Sequence, residues 1–442
     1  MSRSIYWFTN DLRLTDNPGL VEALAAGGHI SFVYCIDPKL FRPGRYQCPS
    51  MGAKRHRFLL QSLEDLDSRL RRCGQHLNVY YDNPLRLFEQ LHSQWGMERI
   101  FHSVSPGFYE VKNVEAIKQH LPQVKVTPLH THTLFQPENL PFLIKQLPDT
   151  FTQFRKQVEK AEITIAEPLE TPTSLGKSFI PKSNWRQTLP RISNLGKSLN
   201  YKSIYFGGET SGLRHLTDYF QQDYAQEYKQ TRNELDQHSA STKFSPWLAH
   251  GCISPRQVVH QLKQHEQFRG ANESTYWIFF ELLWREYFQW YAHKYGNTLF
   301  AFGGIKGRNP TTSFYGERYQ QWCQGSTPFP IVNACMKQLN ATGYMSNRGR
   351  QLVASCFVNE LQLDWRYGAA YFEQHLLDYD VASNWGNWQY LAGVGADPRG
   401  ARQFNLQKQT DTYDPDGEFI ERWQGNSDCM ALDSVDAVGW PL

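Results

Sequence analysis

The first 133 residues alternate short apolar runs with longer amphipathic ones. The segments between the apolar runs carry apolar residues at helical spacing, and Asp16 is expected to cap the helix PGLVEALAAG. Repeated β–α units of this kind predict a doubly wound parallel sheet, so residues 1–133 are expected to form an α/β domain. The predicted strands are SIYWF, ISFVYCID, HLNVYY, RIFHSV and KVTPLH.

Beyond this region the periodicity changes twice. Residues 134–205 are rich in Pro, Ser and Gly and are expected to form a connector over the surface, with Phe142, Phe151, Phe154 and Trp185 as apolar contacts. From residue 206 strand patterns nearly vanish, and segments such as ESTYWIFFELLWREYFQWYAHKYG predict helices. We therefore expect a large all-α domain at 206–425, followed by a tail at 426–442.

Composition narrows the function classes. The chain of 442 residues has a net charge of only +3, so any nucleic-acid site must come from local clustering. None of the 8 cysteines forms a CxxC pair, which disfavours a zinc or iron–sulfur site and indicates reduced thiols. No signal peptide and no 18-residue apolar run is present, so a cytoplasmic location is expected. No GxGxxG opens a helix, which disfavours a Rossmann-type dinucleotide site.

The stretch 341–393 combines a buried helical pattern with polar groups. Amides, guanidinium groups and carboxylates on buried helices must be satisfied by each other or by a polar ligand. Two interpretations fit this pattern: a helical core with an internal ion-pair network, or the walls of a site for a large aromatic, polar cofactor. The polar residues are Asn347, Arg348, Arg350, Asp378, Asp380 and Asn384, and Trp365, Trp385 and Trp388 lie among them.

Two further segments carry candidate chemistry. In STKFSPW, hydroxyl groups and Lys243 precede a helix start, which suits either a pyrophosphate cradle or an ordinary N-cap cluster. In FELLWREYF, the residues Glu281, Trp284 and Arg285 share one helix face by their spacing. That face suits a flat heterocycle with carbonyl and N–H edges, or it holds only an internal Glu281–Arg285 ion pair.

The motifs TGYMSNRGRQ, DWRYGAAYFE and DYDVASNWGNWQY resemble the flavin-binding region of the cryptochrome/photolyase family, and its DASH-type branch most closely. The resemblance extends from FTNDLRLTDNPGL to YDPDGEFIERW. It implies an antenna domain of the photolyase type, a helical FAD-binding domain, and blue-light-driven repair of cyclobutane pyrimidine dimers, mainly in single-stranded DNA. Weak binding of RNA or duplex DNA, and a monomer or weak dimer, are also expected.

The resemblance assigns roles to individual residues. Those expected to contact FAD are Tyr228, Ser241, Thr242, Lys243, Phe244, Ser245, Arg285, Arg350, Asp378, Asp380 and Asn384. Those expected to contact the lesion or its DNA are Glu281, Trp284, Asn347, Arg348, Tyr390 and Arg402.

Tryptophans and an antenna complete the expected site. Trp388 and Trp365 have the spacing of the family's two inner electron-transfer tryptophans, but Thr312 stands where the third would fall. The nearby candidates for that role are Phe314, Tyr315, Tyr319 and Trp322. Glu110 falls where DASH-type proteins bind a folate antenna, 5,10-methenyltetrahydrofolate, although a solvated carboxylate at a helix start explains it equally well.

Two other functions remain open on the sequence. The same flavin and tryptophans would serve a blue-light photoreceptor without repair activity, although only GNSDCMALDSVDAVGWPL follows ERWQ, which disfavours a switch built on a long tail. A flavoprotein that binds nucleic acid without catalysis is the third interpretation. Glu281 and Trp284 favour repair.

Overall fold

The computed structural model describes residues 2–190, 192, 204–397, 400 and 402–432. Its α/β region contains one five-stranded sheet, in which every neighbouring pair of strands is parallel. The strands are β1 (Arg3–Phe8), β2 (His29–Ile36), β3 (Leu77–Tyr81), β4 (Arg99–Ser103) and β5 (Lys125–Leu129), and they lie in the order β3-β2-β1-β4-β5. The predicted doubly wound parallel sheet is confirmed.

The described residues from 204 onward are predominantly helical, as predicted, and none of the helices is long and apolar enough to cross a membrane. Helices of the first region are α1 (Pro18–Ala25), α2 (Ala53–Arg72), α3 (Pro84–Trp95) and α4 (Phe108–His120), and the connector holds α5 (Phe151–Lys160) and α6 (Trp185–Thr188). The helical region contains α7 (Glu209–Gln221), α8 (Tyr228–Thr231), α9 (Ser245–Ala249), α10 (Pro255–Arg269), α11 (Glu273–Tyr295), α12 (Gly316–Gln324), α13 (Pro330–Thr342), α14 (Asn347–Ser355), α15 (Trp365–His375), α16 (Val381–Leu391), α17 (Leu406–Tyr413) and α18 (Glu418–Arg422).

The two faces of the sheet contribute to different cores, because successive side chains of a strand point to opposite sides. Ile5 and Trp7 of β1 pack in a small core with residues of α3 and α4. Tyr6 and Phe8 belong to a large core that includes α2 and continues into the helical region. The sheet and the helices that follow therefore share apolar packing, which fixes how the two regions meet.

The predicted cap of α1 is wrong by one residue. Asn17 caps the helix, its side chain accepting a hydrogen bond from the backbone N–H of Leu20. Asp16 instead has a left-handed backbone with φ of 52°, and its buried carboxylate pairs with Arg256 of α10 at 2.6 Å and accepts the hydroxyl of Ser254. The partner Arg256 lies far away in the chain, so a local capping rule does not detect it.

A second buried carboxylate, Glu286 of α11, holds the segment that follows β5. It accepts the backbone N–H groups of Leu134 at 2.8 Å and Phe135 at 3.2 Å. Burial raises the pKa of Glu286 to about 7, although these two donors act in the opposite direction. The neighbouring Arg285 donates to the carbonyl oxygen of His132 at 2.6 Å. Helix α11 therefore joins the sheet region to the helical region.

The connector is more structured than its composition predicts. Helix α5 begins with Thr150 as its cap and buries Phe151, Phe154 and Val158. Phe151 stacks on Trp284 of α11, with ring centroids 3.7 Å apart and planes at 13°. The predicted surface segment therefore supplies a wall behind a candidate site residue. Residues 191 and 193–203 of the connector and 433–442 of the tail lie outside the described residues.

The buried pair between Asp16 and Arg256 generates a prediction about stability. Asp16→Asn keeps a residue type that tolerates a left-handed backbone but leaves the guanidinium of Arg256 buried without a counter-charge, which costs about 3–5 kcal/mol. We expect a clear decrease in the urea midpoint of unfolding. The control is Glu64→Gln, because Glu64 and Arg186 are half exposed and 3.7 Å apart, and such pairs contribute about 0–1 kcal/mol. Equal midpoints for the two variants would contradict the assignment.

Candidate functional site

One cavity of about 510 Å³ opens in the helical region between α11, α14, α16 and the segment 228–249. Its volume lies within the range of small-molecule and cofactor sites. Thirteen of the residues named from the sequence are among its walls: Tyr228, Thr242, Phe244, Ser245, Glu281, Trp284, Arg285, Asn347, Arg350, Asp378, Asp380, Tyr390 and Arg402. Their convergence favours the interpretation of a ligand site over that of a closed internal network.

The segment around Lys243 divides between two sides. Thr242, Phe244 and Ser245 line the cavity, and Ser245 begins α9. Lys243 has a left-handed backbone, with φ of 53°, and its buried ammonium group lies 5.0 Å from the ring centroid of Tyr344. Lys243 lines a separate cavity of about 50 Å³. The structure therefore directs the predicted phosphate-binding cation away from the large cavity.

Asp378 and Arg350 form the most strongly buried ion pair of the cavity wall. The Nη2 atom of Arg350 donates to Oδ2 of Asp378 at 2.7 Å, and Nε of Arg350 donates to the carbonyl oxygen of Met345 at 2.9 Å. The other oxygen of Asp378, Oδ1, is buried and lacks a hydrogen-bond partner among the described residues. A buried acceptor without a donor is costly. The N–H edge of a flat heterocycle in the cavity would satisfy it, so the donor set fits a flavin.

Asp380 is held by residues of α16 and α11. As the cap of α16 it accepts the backbone N–H of Ser383 at 2.7 Å, and it accepts two hydrogen bonds from Nε2 of Gln289, at 2.9 and 2.8 Å. Gln289 is itself fixed by the ring of His132 at 3.1 Å. Burial lowers the pKa of His132 to about 3, so the ring is neutral at physiological pH.

Sequence reasoning missed both Gln289 and His132. A signal existed for Gln289, because it lies four residues after Arg285 and therefore on the same face of α11. His132 gave no local signal, since it follows β5 in the other region of the chain.

The predicted helix face of α11 opens into the cavity, but without the ion pair that the simpler interpretation required. Arg285 donates to backbone carbonyl groups, including that of His132 at 2.6 Å. Glu281 pairs instead with Arg232, a residue that sequence reasoning did not name. Burial raises the pKa of Glu281, although the guanidinium of Arg232 lowers it. Glu281 is therefore more readily protonated than an exposed glutamate.

The aromatic wall is formed by Trp284. One face of its indole stacks on Phe151, and the ring of Phe288 lies nearly parallel to it at 5.6 Å between centroids. Tyr390 meets it edge to face at 6.0 Å. These neighbours fix the orientation of Trp284 and leave an aromatic surface beside the acid Glu281.

Arginines surround the mouth of the cavity. Arg402 donates to Asp397 at 2.6 Å and also to the hydroxyl of Tyr390. Arg348 lies over the ring of Tyr413 at 4.7 Å, and Nη2 of Arg348 donates to Asn233 at 3.2 Å. Unlike Arg402, Arg348 is not part of the cavity wall itself. Nearby, the amide of Asn347 is exposed at the first residue of α14.

Three predicted residues lie behind the wall. Asn384 is buried and donates to the carbonyl oxygen of Ala369 at 3.0 Å, so its amide is fixed between α16 and α15. Trp388 and Trp365 are buried as well. Gly368 allows α15 to approach Trp388, because a Cβ atom there would lie 2.3 Å from the indole ring. Ser241, like these residues, is not part of the cavity wall.

Glu110 lies in a different place from the other candidates. It is exposed in the first turn of α4, beyond the carboxyl end of β4. A Cβ atom on Gly107 would lie 2.1 Å from Oε2 of Glu110, so the carboxylate folds back over the start of its own helix. This is the geometry of a helix-start carboxylate.

Two family models match the chain. One, described as the FAD binding domain of DNA photolyase, covers residues 277–431, and the other, described as DNA photolyase, covers residues 4–173. Among relatives, a protein of Idiomarina loihiensis named Cryptochrome DASH is 52% identical over 99% of this chain and 96% of its own length. A protein of Arabidopsis thaliana named Cryptochrome DASH, chloroplastic/mitochondrial, is 40% identical over 95% of this chain and 75% of its own.

Solved structures resemble the chain as a whole. The crystal structure of a cryptochrome from Synechocystis sp. PCC6803 has a TM-score of 0.91 at 41% identity and covers 96% of this chain and 88% of that one. A bacterial class III photolyase from Agrobacterium tumefaciens has a TM-score of 0.80 at 28% identity and covers 96% and 86%.

The hydrogen bonds of Gln289 generate a prediction about cofactor affinity. Gln289→Leu removes the two side-chain hydrogen bonds to Asp380 and leaves this half-buried carboxylate with the backbone N–H of Ser383, which costs about 1–3 kcal/mol. We expect FAD affinity to fall roughly tenfold, because about 1.4 kcal/mol corresponds to a factor of ten. FAD affinity is measured by titrating the apoprotein. The control is Gln389→Leu, which removes an equally buried glutamine that bonds the carbonyl groups of Thr298 and Leu299 instead. Equal FAD affinities in the two variants would contradict a role for Gln289.

Proposed function

This chain belongs to the cryptochrome/photolyase family and carries an FAD-binding domain of the photolyase type, and from this we propose that it is a blue-light-dependent lyase that splits cyclobutane pyrimidine dimers, mainly in single-stranded DNA. One observation carries the proposal: Glu281 and Trp284, assigned by resemblance to the lesion, open into the same cavity as Asp378 and Arg350, assigned to the cofactor. Donor and acceptor would therefore occupy one enclosed space.

The cofactor would supply an electron donor that light excites. Asp378 would accept a hydrogen bond from the heterocycle through its unsatisfied Oδ1, and Arg350 would provide positive charge beside it. Thr242 and Ser245, at the start of α9, would hold the phosphates through hydroxyl and N–H groups. Lys243 lies on the other side of this segment, so we propose that it supports the loop rather than contacting phosphate.

Glu281 would act on the lesion as a hydrogen-bond donor. Its raised pKa increases the fraction that carries a proton, and a protonated carboxyl group donates to a pyrimidine carbonyl oxygen. As negative charge develops on the dimer, a donor already in position stabilises it. Protonation of Glu281 would break its ion pair with Arg232 and release that guanidinium to contact a phosphate.

Trp284 and Tyr390 would enclose the dimer. Phe151 covers one face of Trp284, so the indole is held rigidly while its edge and remaining surface face the cavity. A rigid aromatic wall stacks on any pyrimidine without reading its identity. Asn347 at the mouth adds amide groups that match the carbonyl and N–H edges of the lesion.

The protein is expected to prefer single-stranded DNA because it has little positive charge to offset the free-energy cost of extruding a dimer from a duplex. Taking a dimer out of a duplex costs a few kcal/mol, and less from a single strand. The net charge of +3 gives little general attraction to phosphates. The local cations are Arg232, Arg348 and Arg402, and each is already bonded within the protein.

We extend the proposal to the antenna, to location and to assembly. Glu110 interacts electrostatically with Arg55 and Glu373, and a folate such as 5,10-methenyltetrahydrofolate is proposed to bind beside it. All 8 cysteines are free thiols, which supports a reducing compartment such as the cytoplasm. The protein is proposed to act as a monomer or weak dimer. The alternative function, a blue-light photoreceptor, would use the same cofactor site without the lesion chemistry.

Glu281 generates the first prediction about activity. In Glu281→Ala, FAD content should persist while repair yield per absorbed photon falls by about tenfold to a hundredfold, because the residue touches the lesion and not the phosphates. Repair is measured with chemically pre-reduced protein on an oligonucleotide containing a thymine dimer. Glu273→Ala is the control, since Glu273 is an exposed acid on the same helix. A yield unchanged in Glu281→Ala would remove Glu281 from the reaction.

The substrate preference gives a second prediction. Dimer splitting should be at least about tenfold more efficient on a single strand than on the matched duplex at low substrate concentration, because extrusion from the duplex costs a few kcal/mol. Yield is compared on the two oligonucleotides at fixed salt. Equal yields would contradict the preference for single strands, and no yield on either by FAD-loaded, reduced protein would favour the photoreceptor.

A further inference from the structure

Position 312, where the family places a third tryptophan, adjoins the start of α15. The backbone N–H of Asp364 bonds the carbonyl oxygen of Ser313 at 2.7 Å, so Thr312 lies beside the helix that begins with Trp365. A threonine cannot pass an electron on. The aromatic neighbour of Trp365 is instead Trp385 of α16, with ring centroids 5.8 Å apart and planes at 76°.

The indole N–H partners distinguish the buried tryptophans. The indole N–H of Trp365 donates to the carbonyl oxygen of Phe302 at 2.9 Å, and the indole N–H of Trp322 donates to the carbonyl oxygen of Val353 at 3.0 Å. A peptide carbonyl group is a very weak base and does not accept a proton outright. The N–H of Trp385 donates instead to the hydroxyl oxygen of Tyr379 at 3.2 Å.

The Tyr379 hydroxyl leads on to an acid. It lies close enough to the carboxylate of Glu373 on α15 for the two groups to interact electrostatically. The charged groups around this carboxylate are Arg55 of α2, whose guanidinium lies 4.4 Å from the ring of Tyr379, and Glu110 of α4. Burial raises the pKa of Glu373, which makes its carboxylate a stronger proton acceptor than an exposed one.

We propose that Trp385 replaces the missing third tryptophan as the outer member of the electron relay, and that Tyr379 and Glu373 accept its proton. The inference rests on the proposed FAD site and on Trp388 and Trp365 acting as the inner relay, as their spacing in the sequence predicts. Trp385, and not an aromatic residue near position 312, is the outer member of the relay. Trp322 is not the outer member of the relay, although its ring centroid lies 6.2 Å from that of Trp388, because its N–H donates to a carbonyl group.

The oxidant is photoexcited oxidised flavin, and one electron leaves Trp365 by way of Trp388. Trp385 gives one electron to the Trp365 radical cation and becomes a radical cation itself. The Trp385 N–H proton moves to the Tyr379 oxygen while the Tyr379 hydroxyl proton moves to the Glu373 carboxylate. The neutral Trp385 radical is finally reduced by an added thiol, which supplies one electron and, through Glu373 and Tyr379, the proton.

Proton loss is what makes Trp385 an effective end point. Without proton loss, the electron would return to Trp385 as fast as it left, because the three indoles are chemically alike. After proton loss, the electron can return only if the proton comes back in the same step. Tyr46 lies 6.0 Å from Trp385 and is only half-buried, so a reductant can approach on that side.

The test uses FAD-loaded, oxidised protein and time-resolved absorption and electron paramagnetic resonance. In the wild type the last radical should be a neutral tryptophanyl radical whose formation is slower in D₂O. Tyr379→Phe keeps the packing but removes the proton acceptor, so the radical should stay cationic and its lifetime should fall by about a hundredfold, the usual size of a general-base effect. A lifetime and isotope effect unchanged in Tyr379→Phe would overturn the proton path.

Two further variants separate the electron routes. Trp385→Phe should abolish the long-lived radical, and adding Thr312→Trp to it should restore one, which also shows that the variant folds. Trp322→Phe should leave the radical unchanged. Mass spectrometry after illumination without thiol should find oxygen added to Trp385. A radical that survives Trp385→Phe or disappears in Trp322→Phe would overturn the relay.

Repair by chemically reduced wild type is measured separately. A protein that relays electrons but repairs nothing therefore contradicts only the proposed function.

Discussion

Helix α11 is the constraint on which the site depends. Its carboxylate Glu286 and its guanidinium Arg285 bond the backbone of residues 132–135, and Gln289 bonds the ring of His132. These contacts attach the helix to the segment that leaves the sheet. Because a helix rotates as a rigid unit, fixing this side also fixes where Glu281 and Trp284 face the cavity. The α/β region thus positions cavity residues that belong to the helical region.

The carboxylates at the cavity and between the two regions are satisfied to different degrees, and the difference indicates where a ligand would bind. Asp16 and Glu286 have their hydrogen bonds completed by the protein and serve the contact between regions. Asp380 is also completed, by Ser383 and Gln289, so it is a rigid part of the wall. Asp378 keeps one buried oxygen without a partner among the described residues. A ligand that donates to that oxygen recovers the desolvation cost that the folded protein otherwise carries.

The buried tryptophans differ in their ring neighbours and in the groups to which their indole N–H donates. Trp284 is a wall because Phe151, from the connector, covers one of its faces. Trp365 and Trp322 donate to carbonyl groups, which are very weak bases. Trp385 donates instead to the hydroxyl oxygen of Tyr379. The proposed relay depends on this difference in hydrogen-bond partner. Ring distances alone would not have separated these candidates.

The sequence by itself determined the sheet, the helical region and about half of the cavity wall. Periodicity and helix spacing report which residues share a face, and motifs such as DYDVASNWGNWQY supplied the rest by resemblance. Only the tertiary structure decided that Asp16 pairs with Arg256 rather than capping α1, that Glu281 pairs with Arg232 rather than Arg285, and that Lys243 turns away from the cavity. Each of these outcomes is set by a partner distant in the chain or by a left-handed backbone residue. Local pattern encodes which face a side chain occupies, whereas the free energy of a buried charge depends on which partner the fold brings to it.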